Sequence, residues 1–425
     1  LSSSGSGMLH STQLLEDAST AVQTFLLPAG YPNSVTPDYL PFMMWTFPTH
    51  VTGWLYSSLT TASLLEGVGV NTSGKATGVV AATAAIKWLT KDGLGSLGRL
   101  IVGGRFSDLV DTDPKRWRLV AEAFAVTGSL FELSTILMPS QFLALASAGT
   151  LTKAVGKGFA KPSFRVIQNH FAISNNIGSV AAKEEVWEVF AQLLGLGLSV
   201  LLLKRTGVTS SYTSLFGSWL AMVIAHVVFR YISLSKVIFK ELNLKRAKVL
   251  MTKHVFGEGI WAVSDVNSVE QIAVSGNELQ PRMSTGCTLE EVIVGNLKGK
   301  APVSEVTGGN GVMEMLAMYT DEHYLLGWCE PERRAYVALK EGADSETVLR
   351  AMWQAAWLDR YHTSPPNVST SGVGLLRESY AALCTEWGAV GFHRMKWAVE
   401  SEGWDVSGSY LVPPGISRVA STIVS

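Results

Sequence analysis

Apolar residues in the first part of the chain gather into six stretches, at roughly 51–66, 76–90, 119–138, 141–155, 189–203 and 213–234. Their length and Ala/Leu content predict helices rather than strands. Breakers part them: Gly67-Val68-Gly69, Lys91-Asp92-Gly93, Asp111-Thr112-Asp113-Pro114, Pro139 and Gly207. Ahead of them, 11–27 predicts a short amphipathic helix with Leu14, Leu15, Val22, Phe25 and Leu26 on one face, stopped by Pro28. Residues 28–41 hold four prolines and a glycine, which predicts an ordered turn or extended loop.

Past about 255 the texture changes. A Gly-rich polar stretch at 295–311 reads as a loop. Segments 314–329 and 335–340 read as two strands or a hairpin. A helix follows over 346–361, with Ser345 as its N-cap, and a second covers 374–401. Trp353, Trp357, Trp387, Trp397 and Trp404 read as core or interface anchors. The fold class is therefore mainly α: a multi-helix apolar bundle followed by a small α+β C-terminal domain. The expected divisions are 1–27 for a tail and short helix, 28–254 for the helical domain and 255–425 for the α+β domain.

A bilayer span needs about 20 apolar residues. Only 213–234 reaches that length, and it carries His226 and Arg230. The stretch 119–138 carries Glu122 and Glu132, which are costly in lipid unless they face a protein interior or a polar cavity. Two readings stand: insertion of at least two of these helices in a membrane, or a large bundle with buried core helices. A run with six Lys or Arg and one Glu, 236–253, directly follows the longest apolar segment. That fits the positive-inside rule, and it fits equally a solvated amphipathic helix between domains. The Lys204-Arg205 pair weakens the topology argument.

Composition narrows the function classes. Of 425 residues, 47% are hydrophobic and only 16% charged, where soluble domains carry about 25% charge. Lys and Arg number 34 against 35 Asp and Glu, so the basic excess of a nucleic-acid binder is missing and no nucleic-acid partner is expected. Cys287, Cys329 and Cys384 are scattered, without zinc spacing, so neither a disulfide scaffold nor a metal site is expected. The opening LSSSGSG reads either as a linker or as the tail of a Ser-rich transit peptide.

Four local patterns carry candidate chemistry. Pro28-Ala29-Gly30-Tyr31-Pro32 is a rigid loop that presents Tyr31, Asp38 and Tyr39 in fixed directions. Trp88, Lys91-Asp92-Gly93-Leu94-Gly95 and Gly98-Arg99 form a Gly-rich turn with cations, able to cradle an anion or simply to pack helices. It does not match a phosphate loop. Asp113 and Pro114 start a helix, and the basic residues Lys115, Arg116 and Arg118 beside Trp117 in its first turn oppose the helix dipole, which hints at an anionic partner. The last pattern joins Arg165, His170, Asn175 and Ala182-Lys183-Glu184-Glu185. Leu89-Thr90-Lys91 and Leu151-Thr152-Lys153 echo one another, which a repeat or chance would explain.

Nine ordered blocks over about 25–255 resemble the RUS (root UVB sensitive) family: PAGYP-S-V (28–35), DYL (38–40), GVGV (67–70), KDG-G--GR (91–99), D-DPK-WR (111–118), FLALAS (142–147), HFA---N (170–175), AKEE (182–185) and LN--RA (242–247). The C-terminal third is similar to the family's variable domain. The resemblance implies a role in UV-B response, in root and seedling development and in vitamin B6 homeostasis. It also implies a membrane protein of plastid or another organelle, in complex with another family member, and no established reaction.

No GxSxG, HExxH or dinucleotide fingerprint is present, so no catalytic residue and no cofactor are assigned. The first expectation is a membrane-associated, non-enzymatic binding or scaffold protein with a second family member and lipid as partners. The second is a carrier for a small anion such as a vitamin B6 vitamer, in which Glu122, Glu132, Lys91 and Arg99 would converge on one cavity. Candidate ligand or partner contacts are Tyr31, Asp38, Lys91, Asp92, Arg99, Asp113, Trp117, Arg118, Arg165 and Asn175.

Overall fold

A computed structural model describes residues 22–67, 85–94, 96, 100, 107–204, 208, 211–297, 310–363, 373–388, 392–407, 411 and 418–419. The chain divides into two compact units, Leu1–Val237 and Ile238–Ser425. This division falls ahead of the 254/255 boundary read from the change in texture.

The first unit is helical. Its elements are α1 (Tyr39–Gly67), α2 (Ser107–Thr112), α3 (Pro114–Leu133), α4 (Phe142–Phe171), α5 (Ile177–Lys204) and α6 (Tyr212–Lys236). A further helical segment covers 85–94. Asp113 caps α3 as expected: its side chain accepts from the Arg116 N–H at 3.4 Å, with Pro114 in the first turn. α3 and α4 pack closely because glycines face each other. A Cβ on Gly149 would stand 2.6 Å from the Gly128 carbonyl oxygen, and one on Gly156 2.8 Å from that of Ala121. α1 packs against both α5 and α6. On α6 the buried stripe is Leu215, Trp219, Val223, His226, Arg230 and Leu234, at helical spacing, so its two ionic residues share the apolar face.

Among the described residues, three helices are long and apolar enough to cross a membrane: Pro114–Ile136, Ile177–Lys204 and Tyr212–Lys236. The sequence pattern gave that length to 213–234 alone. The helices extend beyond the apolar stretches because flanking polar residues such as Lys183, Glu184 and Glu185 continue the hydrogen-bonded turns. α5 spans about 42 Å at 1.5 Å per residue. It leaves Phe190, Leu193 and Leu201 more than half exposed.

The second unit is built on a small sheet in the order β1-β3-β2, from Arg282–Thr285, Arg334–Lys340 and Tyr324–Cys329. β1 runs parallel to β3, whereas β2 and β3 form an antiparallel hairpin in the register Tyr324↔Leu339 to Cys329↔Arg334. A short β4 (Arg418–Val419) extends the sheet beside β3. Around it lie α7 (Leu244–Val255), α8 (Val263–Ser268), α9 (Leu289–Leu297), α10 (Asn310–Met318), α11 (Ser345–Thr363), α12 (Val373–Trp387) and α13 (Phe392–Ser401). Every residue of β2 is buried, and Gly327 lets the Val292 carbonyl of α9 approach its backbone.

Four expectations change in this unit. The segment read as one strand from 314 is helical through Met318, since Met-Leu-Ala-Met favours helix until the turn at 319–321. The cap of α11 is Asp344, whose carboxylate accepts from the Thr347 N–H at 2.9 Å, rather than Ser345. The helix over 374–401 is two helices parted at Gly388, which sits at φ 83°. Finally, half of the basic run 236–253 is buried. Lys245 donates to the carbonyls of Gln271 (3.1 Å) and Ile272 (2.9 Å), Lys248 to that of Leu279 (3.0 Å), and Arg246 pairs with Glu270 (3.1 Å). These three are fold residues of the second unit and give no support to a lipid-facing basic run.

Candidate functional site

The most concentrated buried charge lies in the helical unit around Glu122. Arg230 donates from Nε to Oε1 at 2.8 Å, Arg118 stands 3.2 Å from the same oxygen, and His226 Nε2 lies 3.0 Å from Oε2. The other ring nitrogen of His226 faces the Thr49 carbonyl at 2.9 Å and the Thr52 hydroxyl at 3.4 Å. Thr52 spends its own proton on the carbonyls of Pro48 and Thr49, so acceptors stand at both ring nitrogens. Helical spacing explains the convergence: Arg118 and Glu122 are one turn apart on α3, and His226 and Arg230 one turn apart on the buried stripe of α6.

These groups form part of the wall of a cavity of about 380 Å³ between α1, α3, α4, α5 and α6. Glu188, His50 and Lys157 also line it. Arg118, Arg230 and Lys157 thus face two carboxylates, which leaves the cavity electropositive. Burial, with Arg230 and Arg118 nearby, pushes the His50 imidazole down to about 3, so it stays neutral. Arg118 Nε is buried and has no hydrogen-bond partner among the described residues.

A second cavity, about 350 Å³, lies between α1, the 85–94 helix, α3 and α4. Here Glu132 takes Lys153 at 2.5 Å and the Thr150 hydroxyl at 3.3 Å. Lys91, buried against the Trp88 ring at 4.6 Å and paired with Asp92 at 2.7 Å, lines the same space. The two lysines of the Leu-Thr-Lys echo, Lys91 and Lys153, therefore meet at one cavity.

The expected convergence of Glu122, Glu132, Lys91 and Arg99 on a single cavity is replaced by two cavities. Glu122 faces the first, and Glu132 and Lys91 face the second. Arg99 lies outside the described residues.

The other sequence-picked residues divide between structure and surface. Asp38 is buried and meets His170 Nε2 at 2.9 Å. The 28–38 loop docks on the α4–α5 turn, where Thr36 N–H donates to the Phe171 carbonyl (3.2 Å) and Asn176 to the Ser34 carbonyl (3.0 Å). Tyr31 belongs to that loop, and Asn175 holds the turn at φ 52°, a conformation Asn tolerates. Trp117 stacks on Phe159 with centroids 4.8 Å apart, and Arg165 is exposed and bonds Gln168 at 3.0 Å. Of the nine described candidates, Arg118, Lys91 and Asp92 line these two cavities.

The residues that sequence reasoning left off the site list are Glu122, His226, Arg230, Lys153 and Lys157. The signal for the first three was present, as ionic side chains inside long apolar stretches. What was hidden is that they meet, since Glu122 and Arg230 are separated by 108 positions.

Comparison with known proteins follows this geometry. Residues 12–257 match the family model described as the vitamin B6 photo-protection and homoeostasis domain, and residues 300–411 match the C-terminal domain of root UVB sensitive proteins. The first match runs across the division between the two units. The protein root UVB sensitive 5 of Arabidopsis thaliana is 42% identical over 400 residues, covering 92% of this chain and 75% of the relative. RUS family member 1 of Dictyostelium discoideum is 31% identical over 63% of this chain and 50% of its own length. Root UVB sensitive 2 of Arabidopsis, named as chloroplastic, is 25% identical over 79% of this chain and 73% of its own. No solved structure matches the chain. On the extent of the domain match and of the similarity to the first of these relatives, the chain belongs to the root UVB sensitive (RUS) family.

Proposed function

We propose that this chain is a membrane-embedded binding protein for a small anion, of the class of phosphorylated vitamin B6 forms such as pyridoxal 5′-phosphate. The observation that carries this reading is the Arg118–Glu122–His226–Arg230 cluster on the wall of a 380 Å³ cavity. Charges inside apolar helices are costly, and they persist where they line a ligand site or path. The vitamin comes from the description of the matched domain. The reading assigns no reaction. Both Glu122 oxygens already have partners, and a His50 pushed to about 3 is too weak a base at neutral pH. A plastid membrane is the proposed location, in keeping with one relative's name. On this reading, any part in UV-B response or root and seedling development is downstream of vitamin supply.

The exposed apolar side of α5 favours a second reading, in which another family member packs on Phe190, Leu193 and Leu201 and the chain acts as a scaffold.

The test is a titration of the purified full chain in lipid nanodiscs with pyridoxal 5′-phosphate. Saturable binding that falls at least tenfold in Arg118→Gln supports the reading. No binding by the wild type, or equal binding by Arg118→Gln, overturns it. Binding only after co-expression with a second family member would move the weight to the scaffold.

A further inference from the structure

The linings of the two cavities fall on the same faces of the same helices. On α1, Thr49, Gly53 and Ser57 line the first, and Thr61 and Leu64 line the second. These positions follow one another at three- or four-residue steps, which makes a single stripe on one face. On α3 the same face carries Arg118 and Glu122 at one end and Glu132 at the other. Ten residues separate the two glutamates, or about 15 Å along the axis. α4 runs the opposite way and brings Lys153 to the second cavity and Gly156 and Ala160 to the first. Lys157 lines both cavities and is exposed where they meet.

The ends are also chemically alike. Each holds one buried glutamate on resident cations: Glu122 on Arg118 and Arg230, and Glu132 on Lys153. A carboxylate in that position does what an anionic ligand would do there. It satisfies the cations while the station is empty, and an incoming anion competes with it for them. On α4 the cations Lys153, Lys157, Lys161 and Arg165 recur every fourth residue, and the last three are exposed. Such a row draws anions toward the trough and along it.

We infer that the two cavities are successive stations of one anion path along α1, α3 and α4, with Lys157 as the cation that hands the ligand from the Glu122 station to the Glu132 station. This rests on the anion-binding reading above and extends it from holding a ligand to moving one. No covalent step is involved. The ligand is a small mono- or dianion bearing a phosphate or carboxylate, and it exchanges partners with the glutamate at each end.

The test uses the full chain reconstituted in liposomes, with flux of labelled pyridoxal 5′-phosphate and of inorganic phosphate measured separately. The wild type is expected to pass at least one of them. Lys157→Met should cut that flux tenfold or more, and Lys157→Arg should restore it. A second measurement guards against a folding defect. Ser57→Cys and Thr61→Cys should both react with a small charged thiol reagent added in water, and the flux-competent anion should slow both. Flux in Lys157→Met equal to wild type overturns the path, and so does binding with no flux of either probe. Failure of the wild type to bind either probe sinks the binding reading itself. If phosphate passes and pyridoxal 5′-phosphate neither passes nor competes, the path stands and the vitamin does not.

Discussion

His226 on α6 places its Nε2 3.0 Å from a carboxylate oxygen of Glu122 on α3, across 104 residues of sequence. The contact fixes two candidate membrane-spanning helices to each other at an ionic point, with Arg118 and Arg230 on the other carboxylate oxygen. Removing one member of such a buried group leaves its partners uncompensated, which costs about 3–5 kcal/mol.

Glu122→Gln therefore carries a two-sided expectation. Its shape is kept and its charge lost, so the full chain should lose about 3 kcal/mol of stability in low-anion buffer. The freed cations should then take an external anion more tightly. Added pyridoxal 5′-phosphate should raise the unfolding midpoint of the variant more than that of the wild type. Equal shifts in the two proteins would count against an anion station at this carboxylate.

The 28–38 loop gives a contrasting expectation. Asp38 is buried on His170 and lines neither cavity. Asp38→Ala should lower stability by about 3 kcal/mol, since it strips the partner from a buried group. Ligand affinity measured well below the unfolding midpoint should stay within twofold. A tenfold loss of affinity with unchanged stability would make Asp38 a ligand contact instead.

The second unit carries a pH signature. Burial, and then the charge of Arg334, pushes the Lys248 amine from an ordinary value near 10.5 down to about 7. Between those values the unfolded chain holds a proton that the folded chain lacks, so stability rises with pH through that window. Below about 7 the folded protein carries the charge buried, and the cost is fully present. Lys248→Met should thus raise the unfolding midpoint of the full chain by several degrees at about pH 6, and the gain should fade toward about pH 10. A gain that does not vary with pH would show that Lys248 is neutral or solvated throughout.

What could be read in advance divides by distance along the chain. The Asp113-Pro114 start of α3 was legible because a cap acts within three residues. The β2–β3 hairpin was legible because its strands are adjacent in sequence and wholly or largely buried. Lys245 and Lys248 were misread because their partners are backbone carbonyls, at 271–272 and 279, which no side-chain pattern announces. The Glu122 station was half legible. Ionic residues in apolar helices announced that something polar lay inside, but only the packing of α3 against α6 shows that they meet. Lys157 gave no sign at all, since an exposed lysine on a helix looks like any other until two cavities are found on either side of it.

The central claim is that the helical unit receives a small anion at the Glu122 cluster. The most direct measurement is a density map of the full chain in lipid nanodiscs with saturating pyridoxal 5′-phosphate. The account predicts ligand density in the first cavity, with phosphate oxygens within hydrogen-bond distance of Arg118 and Arg230. Density confined to the second unit, or an empty cavity with Glu122 still held by Arg118, His226 and Arg230, would contradict it.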